Sequence, residues 1–237
     1  MTLTLGYSKA SAPSARRIAA AYGEDCQLVT TGPVDINWGR GTGEATLNRN
    51  TSTVTNKRAM REAFKAAGVP MPTLYDLDAV EFPAVGRPDF HTRKRGFWLV
   101  TNERELAQAK LGRVLRNGRR KQAATHFMEY VSPERAPREY RVHVFGGSVI
   151  RLSRKDFESA DAGQHYVTVS AAGEPVSHVR DAAKAAIDSV GLDFGAVDVM
   201  ASDTECWVLE VNSAPGLGGT MPQLYASKFR AWKDEQS

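Results

Sequence analysis

Apolar residues recur along this chain with two different spacings, and the places where the spacing changes mark its predicted elements. Near the N-terminus, LTLGYS and CQLVTT are apolar runs of strand length and DINWG reads as a third, while SARRIAAAYG between the first two has helical spacing and stops at Gly23. In NRNTSTVTNKRAMREAFKAAGVPMP, Met60, Phe64 and Ala67 fall at helical spacing behind the polar cap candidates Thr55 and Asn56, and Gly68 before Pro70 supplies the stop. From Phe82 the pattern turns to short strands: FPAVGRP, GFWLV, THFMEYV, EYRVHVFGG and SVIRLSR. A helix over residues 103–110 interrupts them, with Asn102 and Glu105 spaced as a cap and its reciprocal partner. Gly146 and Gly147 between two alternating runs predict a hairpin, which sets Arg141 and Arg154 on paired antiparallel strands. HVRDAAKAAIDSVG carries Val179, Ala183, Ala186, Ile187 and Val190 on one helical face, AVDVM and WVLEVN predict two more strands, and the tail from Met221 to Trp232 predicts a helix. Residues 159–173 predict no element.

Composition narrows the class. At 237 residues the chain has material for one large domain or two small ones, and 42% hydrophobic with 24% charged residues is the balance of a water-soluble protein. No apolar run approaches the roughly 18 residues of a membrane span, and MTLTLGYSKASAPS lacks the pattern of a signal peptide, so a cytoplasmic protein is expected. Cys26 and Cys206 are too few for a disulfide framework, which fits a reducing compartment. The five histidines show no paired ligand spacing, which argues against a transition-metal site. A formal charge of +4 permits an anionic ligand without demanding one.

The unusual positions are acids on apolar strands. Asp198 is the only charge in GAVDVM and Glu210 the only one in WVLEVN. Alternation puts Asp198 opposite in direction to Val197 and Val199, and puts Glu210 and Asn212 on one face together. If the two strands pair, three oxygen-bearing side chains converge. Two carboxylates so placed repel unless a cation joins them, and a set of hard oxygens suits Mg2+, which binds substrate phosphates as well. The plainer reading sets both acids in solvent on an edge sheet; Asn212 and the glycine-rich loop that follows favour the metal.

AVDVM followed after a gap by VLEVNSAPGLGG resembles the closing signature of the ATP-grasp ligases, nearest the ribosomal-protein glutamate ligase branch and more distantly the D-alanine ligases. The resemblance implies an α+β fold of two lobes enclosing ATP, with a small α/β unit over residues 1–55, a first lobe over 56–130 and a second lobe carrying the metal site over 131–237. It implies that Asp198, Glu210 and Asn212 hold two magnesium ions that bridge the ATP phosphates. THFMEYVSPERAPREYRV is similar to the linker that presents backbone groups to adenine, which points to Glu129, Tyr130 and Val131. REYRVHVFGGSVIRLSRKD is similar to the two strands whose cations face the phosphates, which points to Arg141, Arg154 and Lys155 as catalytic groups, with Arg141 also binding nucleotide. FPAVGRPDFHTRKRGFWLV takes the place of the phosphate-loop hairpin and departs from it. Arg87 stands where Lys is usual, and the loop over residues 91–96 keeps one glycine and adds Arg93, Lys94 and Arg95. Lys57 falls at a family position but reads more simply as a structural or solubilising residue. The N-terminal unit is expected to be shorter than the family's substrate-holding domain, leaving room for a large or macromolecular acceptor.

What the resemblance implies is ATP-dependent joining of a carboxylate to an amine through an acylphosphate, with release of ADP and phosphate. Three alternatives stand beside it: a kinase on the same fold, a nucleotide-binding module without turnover, and an enzyme attaching an amino acid to a nucleic acid or protein. The last draws on LGRVLRNGRRKQ, where Arg113, Arg116, Arg119, Arg120 and Lys121 cluster; a solvated helix end and loop is the simpler reading of that cluster.

Overall fold

The computed structural model describes residues 1–41, 43–90, 96–114, 120–156, 165–168 and 176–236. The chain begins with β1 (Leu3–Tyr7), α1 (Ala12–Tyr22), β2 (Cys26–Val29), β3 (Val34–Trp38) and β4 (Ala45–Leu47), whose strands form a parallel sheet in the order β2-β1-β3-β4. The fourth strand is too short to register in the sequence pattern. Next come α2 (Ser52–Thr55) and α3 (Lys57–Ala66). The Asn56 side chain caps α3 by accepting from the backbone N–H groups of Arg58 and Ala59, satisfying donors that the first helical turn leaves open.

A second sheet, ordered β5-β10-β6-β7, is antiparallel and is built from β5 (Leu74–Tyr75), β6 (Ala84–Arg87), β7 (Trp98–Val100) and β10 (His126–Glu129). Its connections hold α4 (Glu103–Leu111) and a two-stranded ladder of β8 (Arg113–Val114) and β9 (Arg120–Lys121). Asn102 caps α4 as its spacing predicts, accepting from the Glu105 N–H. The Glu105 carboxylate turns instead to the Thr101 N–H and hydroxyl. Arg113, Arg120 and Lys121 of the basic cluster lie on the β8/β9 ladder, where the Lys121 ammonium sits 3.8 Å from the Trp98 ring centroid; Arg116 and Arg119 lie outside the described residues.

The largest sheet is antiparallel, with order β13-β12-β11-β14-β15: β11 (Arg138–Phe145), β12 (Ser148–Asp156), β13 (His165–Thr168), β14 (Phe194–Ala201) and β15 (Cys206–Asn212). Gly146 and Gly147, both at positive φ, make the tight turn between β11 and β12 that the sequence predicts. β13 falls inside residues 159–173, where no element is expected from the pattern; the rest of that segment lies outside the described residues. α5 (Ser177–Ser189) covers one face of this sheet and α6 (Met221–Glu235) ends the described chain. Among the described residues no helix is long and apolar enough to cross a membrane.

Two clusters of buried side chains join these parts. One gathers Val142, Val197, Val199, Val208 and Val211 with the inner face of α5, and Met60 and Phe64 of α3 belong to it. The helix assigned by sequence to the first lobe thus packs on the largest sheet. The other cluster is aromatic: Phe194 of β14 stacks on Trp38 of β3 at 5.5 Å and meets Phe229 of α6 edge-on at 5.3 Å. The N-terminal sheet therefore shares its core with the last sheet and the last helix.

His143 of β11 is buried in this region, its Nδ1 lying 3.0 Å from the Tyr225 hydroxyl, and burial pushes its pKa down from the ordinary 6.5 to about 3. The folded pKa lies below the unfolded one, so stability is complete above about pH 6.5 and falls as the unfolded chain alone takes up the proton. Urea unfolding between about pH 7 and pH 5 should show this loss, and His143→Gln should flatten the slope by about one proton; an unchanged slope would mean that another group titrates. Phe194→Ala should destabilise the protein by about 3–5 kcal/mol, with the N-terminal unit and the last sheet unfolding in one transition.

Candidate active site

The pairing of β14 with β15 decides which side chains meet. Val199 lies across from Val208, but Asp198 lies across from Glu210, so the register slips by one and Leu209 is left as an extra residue in a β-bulge. Without that slip, strict alternation from Val208 would point Glu210 into the apolar core beside Val197 and turn Val211 out of it. With it, Val208 and Val211 are both fully buried, while Glu210 joins Asp198 on the other face and Asn212 stands across from Ala196. The three residues expected from the sequence do share one surface.

Their charges have partners within the chain. Arg141, across from Asp198 on β11, donates from Nε and Nη2 to the two Asp198 oxygens at 2.7 Å each, a bidentate pair. Burial pushes the Asp198 carboxyl up, and the two bonds from Arg141 act against that shift. Glu210 lies 3.6 Å from the Lys57 ammonium and accepts from the Asn212 amide at 3.0 Å. The cation that two neighbouring carboxylates call for is thus supplied in part by Arg141 and Lys57.

Lys57 and Arg61, one turn apart on α3, are 7% and 6% exposed. Burial lowers the Lys57 ammonium, with Glu210 opposing; burial likewise brings Arg61 down to about 10, again opposed by Glu210. Arg87, at the end of β6, carries its guanidinium 5.6 Å from the Phe97 ring centroid, and burial lowers it too against the pull of Glu210. Beside Arg87 in the register stands His126, whose Nδ1 is 3.2 Å from Asp89. Burial and then the charge of Arg61 push His126 down to about 4, so it stays neutral. Among the described residues Lys57, Arg61, Arg87 and Arg141 thus stand around Asp198 and Glu210, with Glu139 also acting on Asp198, and so many cations suit an anionic ligand. A cavity of about 540 Å3 opens beside them, lined by Lys57, Glu210, Asn212 and Phe90 and walled on its far side by Ser8, Ser11 and Gly39 of the N-terminal unit.

Glu129 ends β10, and Tyr130 and Val131 begin the connection from the second sheet to β11 of the largest sheet. Burial acts to raise the Glu129 carboxyl, but the N–H and hydroxyl of Thr73 together with Arg135 hold it below the usual range. The N–H groups of Glu129 and Tyr130 donate to Thr73 and Pro83, and Val131 packs against Trp207, which fixes the segment's path. Arg154 is placed differently from expectation. It stands across from Tyr140, on the sheet face that carries the α5 core, so alternation separates it from Arg141 and Asp198. Lys155 holds the register position opposite Glu139, and its side chain lies outside the described residues. The same is true of residues 91–95, which include the three added basic residues of the phosphate-loop candidate.

Sequence reasoning undervalued Lys57 and passed over Arg61 and His126. A signal for the first two exists: positions 57, 60, 61 and 64 share one helical face, so two cations accompany Met60 and Phe64 into the core. Among the described residues no three His, Cys, Asp or Glu side chains cluster as metal ligands. The donor set is two carboxylates with the Asn212 amide oxygen, which are hard donors of the kind Mg2+ takes when it keeps water and phosphate oxygens in its remaining positions.

No family model and no curated protein sequence matches the chain. Solved structures do. D-alanine–D-alanine ligase from Bacillus anthracis complexed with ATP superposes with a TM-score of 0.68 at 15% identity, covering 99% of this chain and 100% of that one. The ATP-grasp ligase PsnB complexed with minimal precursor gives 0.68 at 13% identity, covering 97% and 99%. The ADP complex of N5-carboxyaminoimidazole ribonucleotide synthetase, purK, gives 0.65 at 14% identity, covering 97% and 76%. Likeness over nearly the whole chain at such low identity is a likeness of fold, and the fold of this protein is the ATP-grasp fold.

Proposed function

We propose that the protein is an ATP-dependent ligase that joins a carboxylate to an amine and releases ADP and phosphate. The observation that carries this reading is the pairing of Asp198 with Glu210 in a cleft that also holds Lys57, Arg61, Arg87 and Arg141, the first two of them buried. Two of the solved neighbours support it by what they are: a D-alanine–D-alanine ligase with ATP and an L-amino acid ligase from Bacillus licheniformis. The separation of Asp198 from Glu210 by twelve positions supports a place near the ribosomal-protein glutamate ligase branch.

On this reading Glu129, Tyr130 and Val131 present backbone groups to adenine, which needs one acceptor and one donor from an extended segment. Arg87, Arg141 and Lys57 bind phosphate oxygens, since phosphoryl transfer asks chiefly for positioning and charge neutralisation. Asp198, Glu210 and Asn212 would hold Mg2+, which when bound supplies further neutralisation of the phosphates. A substrate carboxylate oxygen attacks the γ-phosphorus, the bond to the β-phosphate oxygen breaks, and ADP leaves. The amine nitrogen then attacks the acyl carbon, phosphate departs with the former carboxylate oxygen, and the nitrogen gives up a proton. Lys155 is retained as a catalytic candidate on resemblance alone, and Arg154 is given no part.

The cavity beside Glu210 has the size for an amino acid or the end of a peptide, and PsnB, solved with a precursor peptide, supports that substrate class. Incubation with Mg2+, ATP and pools of amino acids and peptides should release ADP and phosphate together with a product whose mass is the sum of two substrates less water. A stable phosphorylated product in place of the amide would make the enzyme a kinase. Asn212→Ala should lower turnover about 10- to 100-fold with little change in melting temperature, because its amide donates to Glu210 and fills no core position; full activity in that variant would remove Asn212 from the site. Glu210→Gln should abolish ADP formation and also lower the melting temperature, because Lys57 loses the carboxylate it is buried against.

A further inference from the structure

β15 is the last strand of its sheet, and an edge strand leaves one row of backbone groups for something else to satisfy. Here α3 and the segment after it close that row: the Val208 N–H donates to the Pro70 carbonyl at 2.8 Å and the Val211 N–H to the Met60 sulfur at 3.4 Å. Between those two bonds lies Leu209, the extra residue of the bulge, and its carbonyl accepts from Arg61 Nη2 at 3.0 Å. Arg61 is 6% exposed, and its Nε and Nη1 have no hydrogen-bond partner among the described residues. A guanidinium buried with donors unmet is expensive where an apolar side chain of similar length would fill the same space. What Arg61 offers that an apolar residue cannot is a donor to the carbonyl of the bulge's extra residue and a charge in the field of Glu210.

We propose that Arg61 is a positioning residue for the metal and nucleotide site described above: by holding the Leu209 carbonyl it fixes the bulge that turns Glu210 onto the face of Asp198. The inference rests on the ligase reading for its consequence in activity, and on the register alone for its consequence in structure. The residue acts through Glu210 and has no contact with substrate assigned to it.

The two consequences are measured separately. In a crystal structure of Arg61→Met, the slip between Asp198 and Val199 should be lost or shifted and Glu210 should no longer stand across from Asp198. An intact bulge with Glu210 in its present place would overturn the proposal whether or not the protein turns over ATP. In calorimetry with ADP as the probe, Arg61→Met should require at least about tenfold more Mg2+ for the same gain in ADP affinity, over and above the loss of metal-free ADP affinity that removing one cleft cation brings. An unchanged Mg2+ dependence would also overturn it. Should wild type show no Mg2+-dependent ADP binding at all, the ligase reading fails and the structural test alone decides on Arg61. If Arg61→Met does not fold, Arg61→Lys keeps the charge and one donor: it should retain the bulge and regain most of the Mg2+ dependence. An Arg61→Lys protein with the bulge intact and the Mg2+ dependence lost would refute a role exercised through Leu209.

Discussion

Glu210 is the negative charge against which the cleft's buried cations are balanced. Lys57 and Arg61 are each more than nine-tenths buried, and both lie in its field. A buried ammonium or guanidinium without a counter-charge costs on the order of several kcal/mol, so the position of Glu210 is a condition of folding. That position depends on a single extra residue in β15. The slip at Leu209 permits Val208 and Val211 both to face α5 while Glu210 between them faces Asp198, which strict alternation forbids. A core strand and a charged site thus share seven residues.

The helix that bears the two cations ties this local geometry to the whole fold. α3 enters the core of the largest sheet through Met60 and Phe64, and the same face delivers Lys57 and Arg61 to β15. Its N-terminal end is tied to the segment after β6 of the second sheet, where the Lys57 N–H donates to the Asp89 carbonyl. Asp89 in turn contacts His126 beside Arg87. From the opposite side the N-terminal unit reaches the loop after β15: Arg17 donates to the Leu217 carbonyl at 2.6 Å, and Gly39, at positive φ, passes so close that a Cβ there would stand 2.6 Å from that of Ala214. The loop that follows the acids is therefore held by residues far away in sequence.

Much of this arrangement is written in short-range signals. Asn56, Gly68, Asn102, Gly146 and Gly147 act where their chemistry says they must, since caps and tight turns are decided within a few residues. The placement of Asp198, Glu210 and Asn212 on one surface follows from the acids' isolation among apolar neighbours, although the bulge that achieves it leaves no mark in the pattern. What escaped reading depended on contacts between distant segments. Lys57 looks like a solvated helix start until α3 is seen to lie on β15, and Arg154 looks equivalent to Arg141 until the register puts it across from Tyr140. β13 pairs with β12 from within a segment whose own pattern predicts nothing, because strand formation there answers to its neighbour.

The charges in the cleft also bear on how ligands enter it. Lys57, Arg61, Arg87 and Arg141 make the surroundings of Asp198 and Glu210 rich in positive charge before any ligand arrives. On the ligase reading, Mg2+ entering alone would add to that charge and compete with Arg141 for an Asp198 carboxylate already held by two charge-assisted bonds. A triphosphate, with about four negative charges, reverses the balance: it gives Arg141 and Lys57 an alternative partner and so frees the oxygens of Asp198 and Glu210. On that reading metal and nucleotide would be coupled ligands, each raising the affinity of the other by the same factor, because linkage requires the exchange of Arg141 between carboxylate and phosphate to favour both or neither. On that reading the bidentate hold of Arg141 on Asp198 makes the freeing of that carboxylate conditional on the nucleotide.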